Sequence, residues 1–173
     1  MLLSHNAVST AMPEERSMYL SRMIYYSKNA IPPGQQSAYT EIKQILNKSV
    51  ENNKLINVSG ALLFNQNYFA QVLEGDRKAL TQTFCRISQD KRHSDIVLLE
   101  TKPVTERIFL DWSMAFAGHS DVADDLYRRF STHSKFEPSK MTADALLGFV
   151  CELVKCDQHI AKSKDAKKKL AAA

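Results

Sequence analysis

An α+β sandwich is the fold class this sequence predicts: a five-stranded mixed sheet with two helices on one face and a C-terminal helical pair on the other. Three observations carry that expectation. Strand-patterned and helix-patterned segments alternate in the order β-α-β-β-α-β-β. Each of the two inner helices has a single apolar stripe, so each covers one surface. A strongly amphipathic segment follows, with Leu146, Leu147, Phe149, Val150, Leu153 and Val154, and it needs a second surface to cover.

The elements run as follows. After a polar leader (1–17), Met18 to Tyr26 reads as a first strand. The Pro32-Pro33-Gly34 loop leads into a helix from about Ser37, with Ile42, Ile45 and Leu46 at helical spacing. The same stripe continues into Ser49, Asn52 and Asn53. That polar end is explained either by helix termination, which Asn and Ser favour, or by a polar site. Gly60 to Phe64 makes a second strand, and Asn65-Gln66-Asn67 a hairpin turn into a third. At Gly75-Asp76 the chain switches into a second helix, with Asp76 as N-cap and Leu80, Phe84 and Ile87 inward. Glu74 and Asp76 read as helix-start residues. Ile96 to Thr101 and Asp111 to Phe116 are further strands, and helices follow at about 121–130 and 142–160. This is the pattern of a ferredoxin-like α/β sandwich.

The third strand holds the most informative residue. In Tyr68-Phe69-Ala70-Gln71-Val72-Leu73-Glu74-Gly75, side chains alternate between faces, so Gln71 shares a core face with Phe69 and Leu73. A buried primary amide left unmatched costs roughly 1–3 kcal/mol. A polar group must therefore sit opposite Gln71. Tyr25 points the same way if the first strand keeps its register. Asn53 closes the first helix, while Arg86, Asp90 and Arg92 border the second. Polar groups converging between two apolar helix faces suit a flat polar ligand.

Bulk properties exclude several classes. The 173 residues, with 44% apolar and 24% charged, fit one globular domain with a real core. The net charge of +4 is accounted for by the tail from Lys155 onward, where six lysines oppose Asp157 and Asp165. A neutral body argues against a phosphate-tracking surface, so no nucleic-acid partner is expected. Cys85, Cys151 and Cys156 are an odd count without metal-ligand spacing, as expected of thiols in a reducing cytoplasm. No apolar run reaches the ~18 residues of a membrane span, and the N-terminus lacks a signal-peptide pattern. The expected location is cytoplasmic, in a bacterial setting. Residues 169–173 read as a vector-derived tail.

Taken together, Arg22-Met23-Ile24-Tyr25-Tyr26-Ser27, Asn53 seven residues before Gly60, Phe69-Ala70-Gln71-Val72-Leu73-Glu74-Gly75, Arg86-Ile87, Asp90-Lys91-Arg92-His93 and Trp112-Ser113-Met114 resemble the BLUF family, blue-light sensors that use a flavin. The resemblance implies a flavin-binding domain over 18–117 and a helical extension over 118–168. It implies a flavin between the two helices, FAD in most members, with FMN or riboflavin as alternatives. Tyr25 and Gln71 would be the photoactive pair, with Trp112 and Met114 on the last strand changing environment during signalling. Cofactor-binding positions carried over are Tyr25, Ser49, Asn52, Asn53, Phe69, Gln71, Arg86, Ile87, Asp90, Arg92 and His93. Each also has a plainer reading: Tyr25 as a satisfied core tyrosine, Trp112 and Met114 as packing, Arg92 and His93 as a solvated turn. Ser59 stands where threonine is commoner, and the loop from Asn29 to Gly34 is this chain's own.

The function implied is a photoreceptor, not an enzyme. Light-driven electron and proton transfer among Tyr25, Gln71 and the flavin would rearrange hydrogen bonds and signal to a partner protein in trans. The residues after Phe116 in this sequence are too few for a cyclase or phosphodiesterase output domain, so the output is expected to act in trans or to sit on a larger chain, and a homo-oligomer is expected. The alternative is a flavin-binding redox enzyme on the same fold, against which stands the lack of a Gly-rich phosphate loop among only five glycines.

Overall fold

The structure, a computed structural model, describes residues 19–32, 35–110, 112–116, 125–131 and 135–155. The polar leader and residues 156–173, with most of the lysine tail, lie outside the described residues. The elements are β1 (Leu20–Asn29), α1 (Gln35–Leu55), β2 (Ser59–Phe64), β3 (Tyr68–Asp76), α2 (Arg77–Ser88), β4 (His93–Pro103) and β5 (Trp112–Phe116). A 3-10 turn at Pro138–Lys140 precedes a helical run over 143–155. Residues 125–127 are helical and 128–130 form a turn, so the expected 121–130 helix is shorter where it is described.

Strand pairing sets the lengths that local pattern left open. β1 pairs with both β3 and β4 and ends at the Asn29↔His93 pair, three residues past Tyr26. β4 is drawn out at both ends beyond 96–101 by the same pairing. The sheet order is β4-β1-β3-β2-β5, with β2 and β5 parallel and the other neighbours antiparallel.

α1 does not stop at its polar residues. It runs two residues beyond Asn53 and closes in a Schellman motif. Val58 N donates to Asn53 O at 2.8 Å and Asn57 N to Lys54 O at 3.3 Å, with Asn57 left-handed at φ 52°. Ser49, Asn52 and Asn53 thus lie in the last two turns of the helix, and Asn53 both supplies a carbonyl to its closing motif and lines the cleft described below. The β2–β3 turn is held by Asn65, whose Oδ1 accepts from Asn67 N at 2.8 Å and Tyr68 N at 2.7 Å. Asp76 caps α2 as expected, accepting from Lys78 N at 2.9 Å and Ala79 N at 3.3 Å.

Glu74 corrects another expectation. It belongs to β3, not to the helix start, and is fully buried in an ion pair with Arg22 at 2.7 Å.

The period-2 alternation divides the strands between two cores. On one face Met23, Tyr25 and Leu73 pack with Leu80, Phe84 and Ile87 of α2, while Leu62, Phe64 and Phe69 pack with Ile42 and Ile45 of α1. On the other, Ile24, Ala61, Leu63, Ala70 and Val72 are covered by Phe109, Leu126, Tyr127, Phe136, Met141 and the 143–155 stripe. No helix among the described residues is long and apolar enough to cross a membrane.

Candidate functional site

A cleft opens between α1 and α2 above the sheet. α1 lines it with Ile45, Lys48, Ser49, Asn52 and Asn53, and α2 with Thr83, Arg86 and Ile87. Tyr25, Leu62 and Gln71 form its floor, and Asp90, Arg92 and His93 its far wall. The apolar stripe of each helix packs on the sheet, and Ile45 and Ile87 of those stripes join the polar residues along the cleft.

Tyr25 and Gln71 are paired directly across β1 and β3. The Tyr25 hydroxyl donates to Gln71 Oε1, and the phenol ring meets Phe84 edge-on at 5.2 Å. Tyr25 is wholly buried, which pushes its pKa well above the ordinary phenol value, and the nearby Asp90 charge adds to the shift. The phenol therefore stays protonated at any physiological pH. Among the described residues, Gln71 Nε2 has no hydrogen-bond partner, nor does the Asn53 side-chain amide, although both residues are almost entirely shielded. Two inward-facing amides with spare donors and acceptors are suited to a planar ligand bearing carbonyl and ring-nitrogen groups.

The far wall is an ion-pair cluster beside a neutral imidazole. Arg92 Nε donates to Asp90 at 2.9 and 3.1 Å, its backbone N to Asp90 Oδ1 at 3.0 Å, and its Nη1 reaches Glu41 at 3.3 Å. The Arg92 hydrogen bond holds the Asp90 carboxyl below the usual carboxylate range, and Asp90 in turn raises Arg92. His93 is held down to about 4, chiefly because burial disfavours its cation. Its Nδ1 lies 2.7 Å from Ser27 Oγ, and its ring packs on Phe69 at 4.5 Å.

The model of the family described as "Sensors of blue-light using FAD" matches residues 20–115. The chain belongs to the BLUF family. Among curated relatives of this BLUF chain, the photoactivated adenylate cyclase subunit beta of Euglena gracilis is 28% identical over 82% of this chain and 17% of that one. The alpha subunit is 34% identical over 75% of this chain and 13% of that one. The chain thus spans less than a fifth of the length of these curated relatives. Among solved structures, BlsA in its photo-activated state is 25% identical, with TM-score 0.66, over 78% of this chain and 94% of that one. The dark state of BlrB, a BLUF protein, is 33% identical, with TM-score 0.53, over 58% and 73%.

Of the residues singled out in this BLUF sequence, Tyr25, Ser49, Asn52, Asn53, Gln71, Arg86, Ile87, Asp90, Arg92 and His93 all border the one cleft. Phe69 does not. It sits beneath, fully buried against His93 and Phe64, because the floor beside Gln71 is completed by Leu62 from β2. Trp112 and Met114 pair with Gly60 and Leu62 along the β2–β5 edge, and their side chains lie outside the described residues. Sequence reasoning missed Lys48, Leu62 and Thr83 as site residues and read Ile45 only as part of the apolar stripe of α1. Thr83 was legible as the position one helical turn before Ile87, and Lys48 as one turn before Asn52. Leu62 depends on cross-strand register with Gln71 and gave no local signal.

Proposed function

We propose that this chain is a blue-light receptor holding a flavin, FAD by the family's description, in the cleft between α1 and α2. Tyr25 and Gln71 are its photoactive pair. The observation that carries this reading is the Tyr25 hydroxyl's hydrogen bond to Gln71 Oε1, beside two amide groups that have donors to spare.

The bound flavin supplies absorption of blue light and, once excited, a strong one-electron oxidant. Asn53 and Gln71 orient the ring edge through their amides, and Asn52 and Ser49 extend that polar rim. Ile45, Ile87 and Leu62 exclude water from its faces. Arg86, with Asp90, Arg92 and His93, holds the polar chain at the cleft's outer end. Tyr25 would give an electron to the excited flavin, and its acidified phenolic proton would pass along the existing hydrogen bond to Gln71 Oε1. Gln71 would then rotate or tautomerise, exchanging the donor and acceptor it presents to the cleft, and the cycle would close when both the electron and the proton have returned to Tyr25 and the Gln71 side chain relaxes in the dark. No bond to the cofactor is made.

The reading places the sensor domain at 18–117 on a ferredoxin-like, five-stranded mixed sheet, with a helical extension at 118–168. The signal would leave through β5, with Trp112 and Met114, to the far-face helices, and from there to a partner protein in trans or a second copy. Likeness to BlsA over 94% of that chain supports an extension that belongs with the sensor. A cytoplasmic setting goes with this reading.

The test is spectroscopic. Protein purified with FAD should be yellow, shift its absorption to the red under blue light, and recover in darkness. A flavin spectrum that bleaches instead, with turnover of a nicotinamide donor, would favour a redox enzyme.

A further inference from the structure

We propose that Glu74 is a positioning residue of the sensor: its buried carboxylate fastens residues 107–109 to β3, so that a displacement of β3 at Gln71 is handed to the connection entering β5. The proposal rests on the reading of Gln71 as half of the photoactive pair.

Gln71 and Glu74 lie three residues apart on β3 and so project to opposite faces. Each is paired with a β1 residue, Gln71 with Tyr25 and Glu74 with Arg22. The two polar pairs thus share one ladder, one facing the helices and one facing the C-terminal segments. Glu74 is fully buried, and its carboxylate accepts from Arg22 Nε at 2.7 Å, Ile108 N at 2.9 Å and Phe109 N at 2.8 Å. Its backbone carbonyl accepts from Arg107 Nη1 at 2.6 Å. The same guanidinium donates to Ser59 Oγ and to Asn57 O, both at 2.7 Å. One short stretch is thereby bonded to β3, to the start of β2 and to the turn that follows α1.

Packing does not explain this arrangement. Phe109 is buried in the far-face core, but Ile108 and Leu110 are 46% and 83% exposed. A buried ion pair adds little net stability over apolar residues of the same volume. What the carboxylate supplies is geometry: two amide donors and a guanidinium converging on one group fix residues 108–109 relative to the β3 backbone. β5 begins at Trp112, three residues past Phe109, and its first pair is Gly60, next to the Ser59 that Arg107 holds. The strap therefore joins the strand of Gln71 to the entry of β5, and packed contacts of this kind switch between discrete arrangements.

Glu74→Gln preserves size but turns one acceptor oxygen into a donor facing other donors. The experiment uses the full chain loaded with FAD, following absorption and amide hydrogen exchange in darkness and under blue light. The expected result has three parts: the red shift is retained, the Ile108 and Phe109 amides lose protection in the dark, and the light–dark difference over 107–116 and 143–155 disappears. Should Glu74→Gln fail to hold FAD, Arg107→Gln, which frees the same connection from its outer side, is read in the same way. A light–dark difference of parental size after the Ile108 and Phe109 amides are freed overturns the proposal. So does loss of the red shift itself, which would put Glu74 in the chemistry around Gln71. A parent with a red shift but unchanged exchange over 107–116 sinks this inference alone, whereas a parent without a red shift sinks the photoreceptor reading and this inference together.

Discussion

Tyr25 and Gln71, 46 residues apart in sequence, face each other across β1 and β3, and the phenol gives its only proton to the Gln71 side-chain carbonyl. That direction leaves the Gln71 NH2 group as the donor available to the cleft. The consequences are testable at each partner.

Gln71→Leu is expected to keep flavin bound and abolish the reversible red shift. Leucine approximates the volume but can neither accept the phenolic proton nor reorder hydrogen bonds. Difference spectra under blue light check this; an intact shift would remove Gln71 from the centre of the mechanism.

Tyr25→Phe is expected to bind flavin and lose the normal photocycle, because phenylalanine has no proton to release and is a poor electron donor. Transient absorption is the readout. Parental cycling would make Trp112 or Tyr26 the primary donor.

Asn53→Ala is expected to weaken flavin retention roughly tenfold, corresponding to the loss of about 1.4 kcal/mol from a shielded amide hydrogen bond. Titration of apoprotein with FAD measures it. Unchanged affinity would mean the Asn53 amide does not face the ligand.

His93 predicts an acid limb in stability. Its folded pKa of about 4 lies below the 6.5 of a free imidazole, so between those values the unfolded chain binds more protons. Stability is then complete above about pH 6.5 and falls as pH drops toward 4. Asp90, also depressed, adds a loss in the same direction from the ordinary carboxylate range downward. His93→Gln should flatten the dependence of Tm on pH between 6.5 and 4 and spare the lower limb. A parental slope in that variant would assign the proton to another group.

Gly60→Ala should destabilise the fold by at least about 2 kcal/mol, because backbone strain and a clash act together. Gly60 sits at φ +151°, and an added Cβ would lie 2.0 Å from Val72 O. Urea denaturation gives the value; a near-neutral result would mean that β2 can shift away from β3.

The sequence by itself determined the element order, the burial of Gln71 and the cap at Asp76, because alternation, helical stripes and capping chemistry are local and written into neighbouring residues. It also carried the family, since the spaced pieces from Arg22 to Met114 are specific when taken together. Other features waited for the tertiary structure. The polar end of α1 could have been a terminus or a polar site; it is both, closing in a Schellman motif through Asn53 O while Asn53 also lines the cleft. Phe69 shares Gln71's face yet misses the cleft, because a neighbouring strand's Leu62 takes the floor beside it. Glu74 read locally as a helix-start acid, while the fold buries it against Arg22 and the amides of Ile108 and Phe109. In each case the deciding partner lies on another element, and register between elements, not local pattern, sets which groups meet.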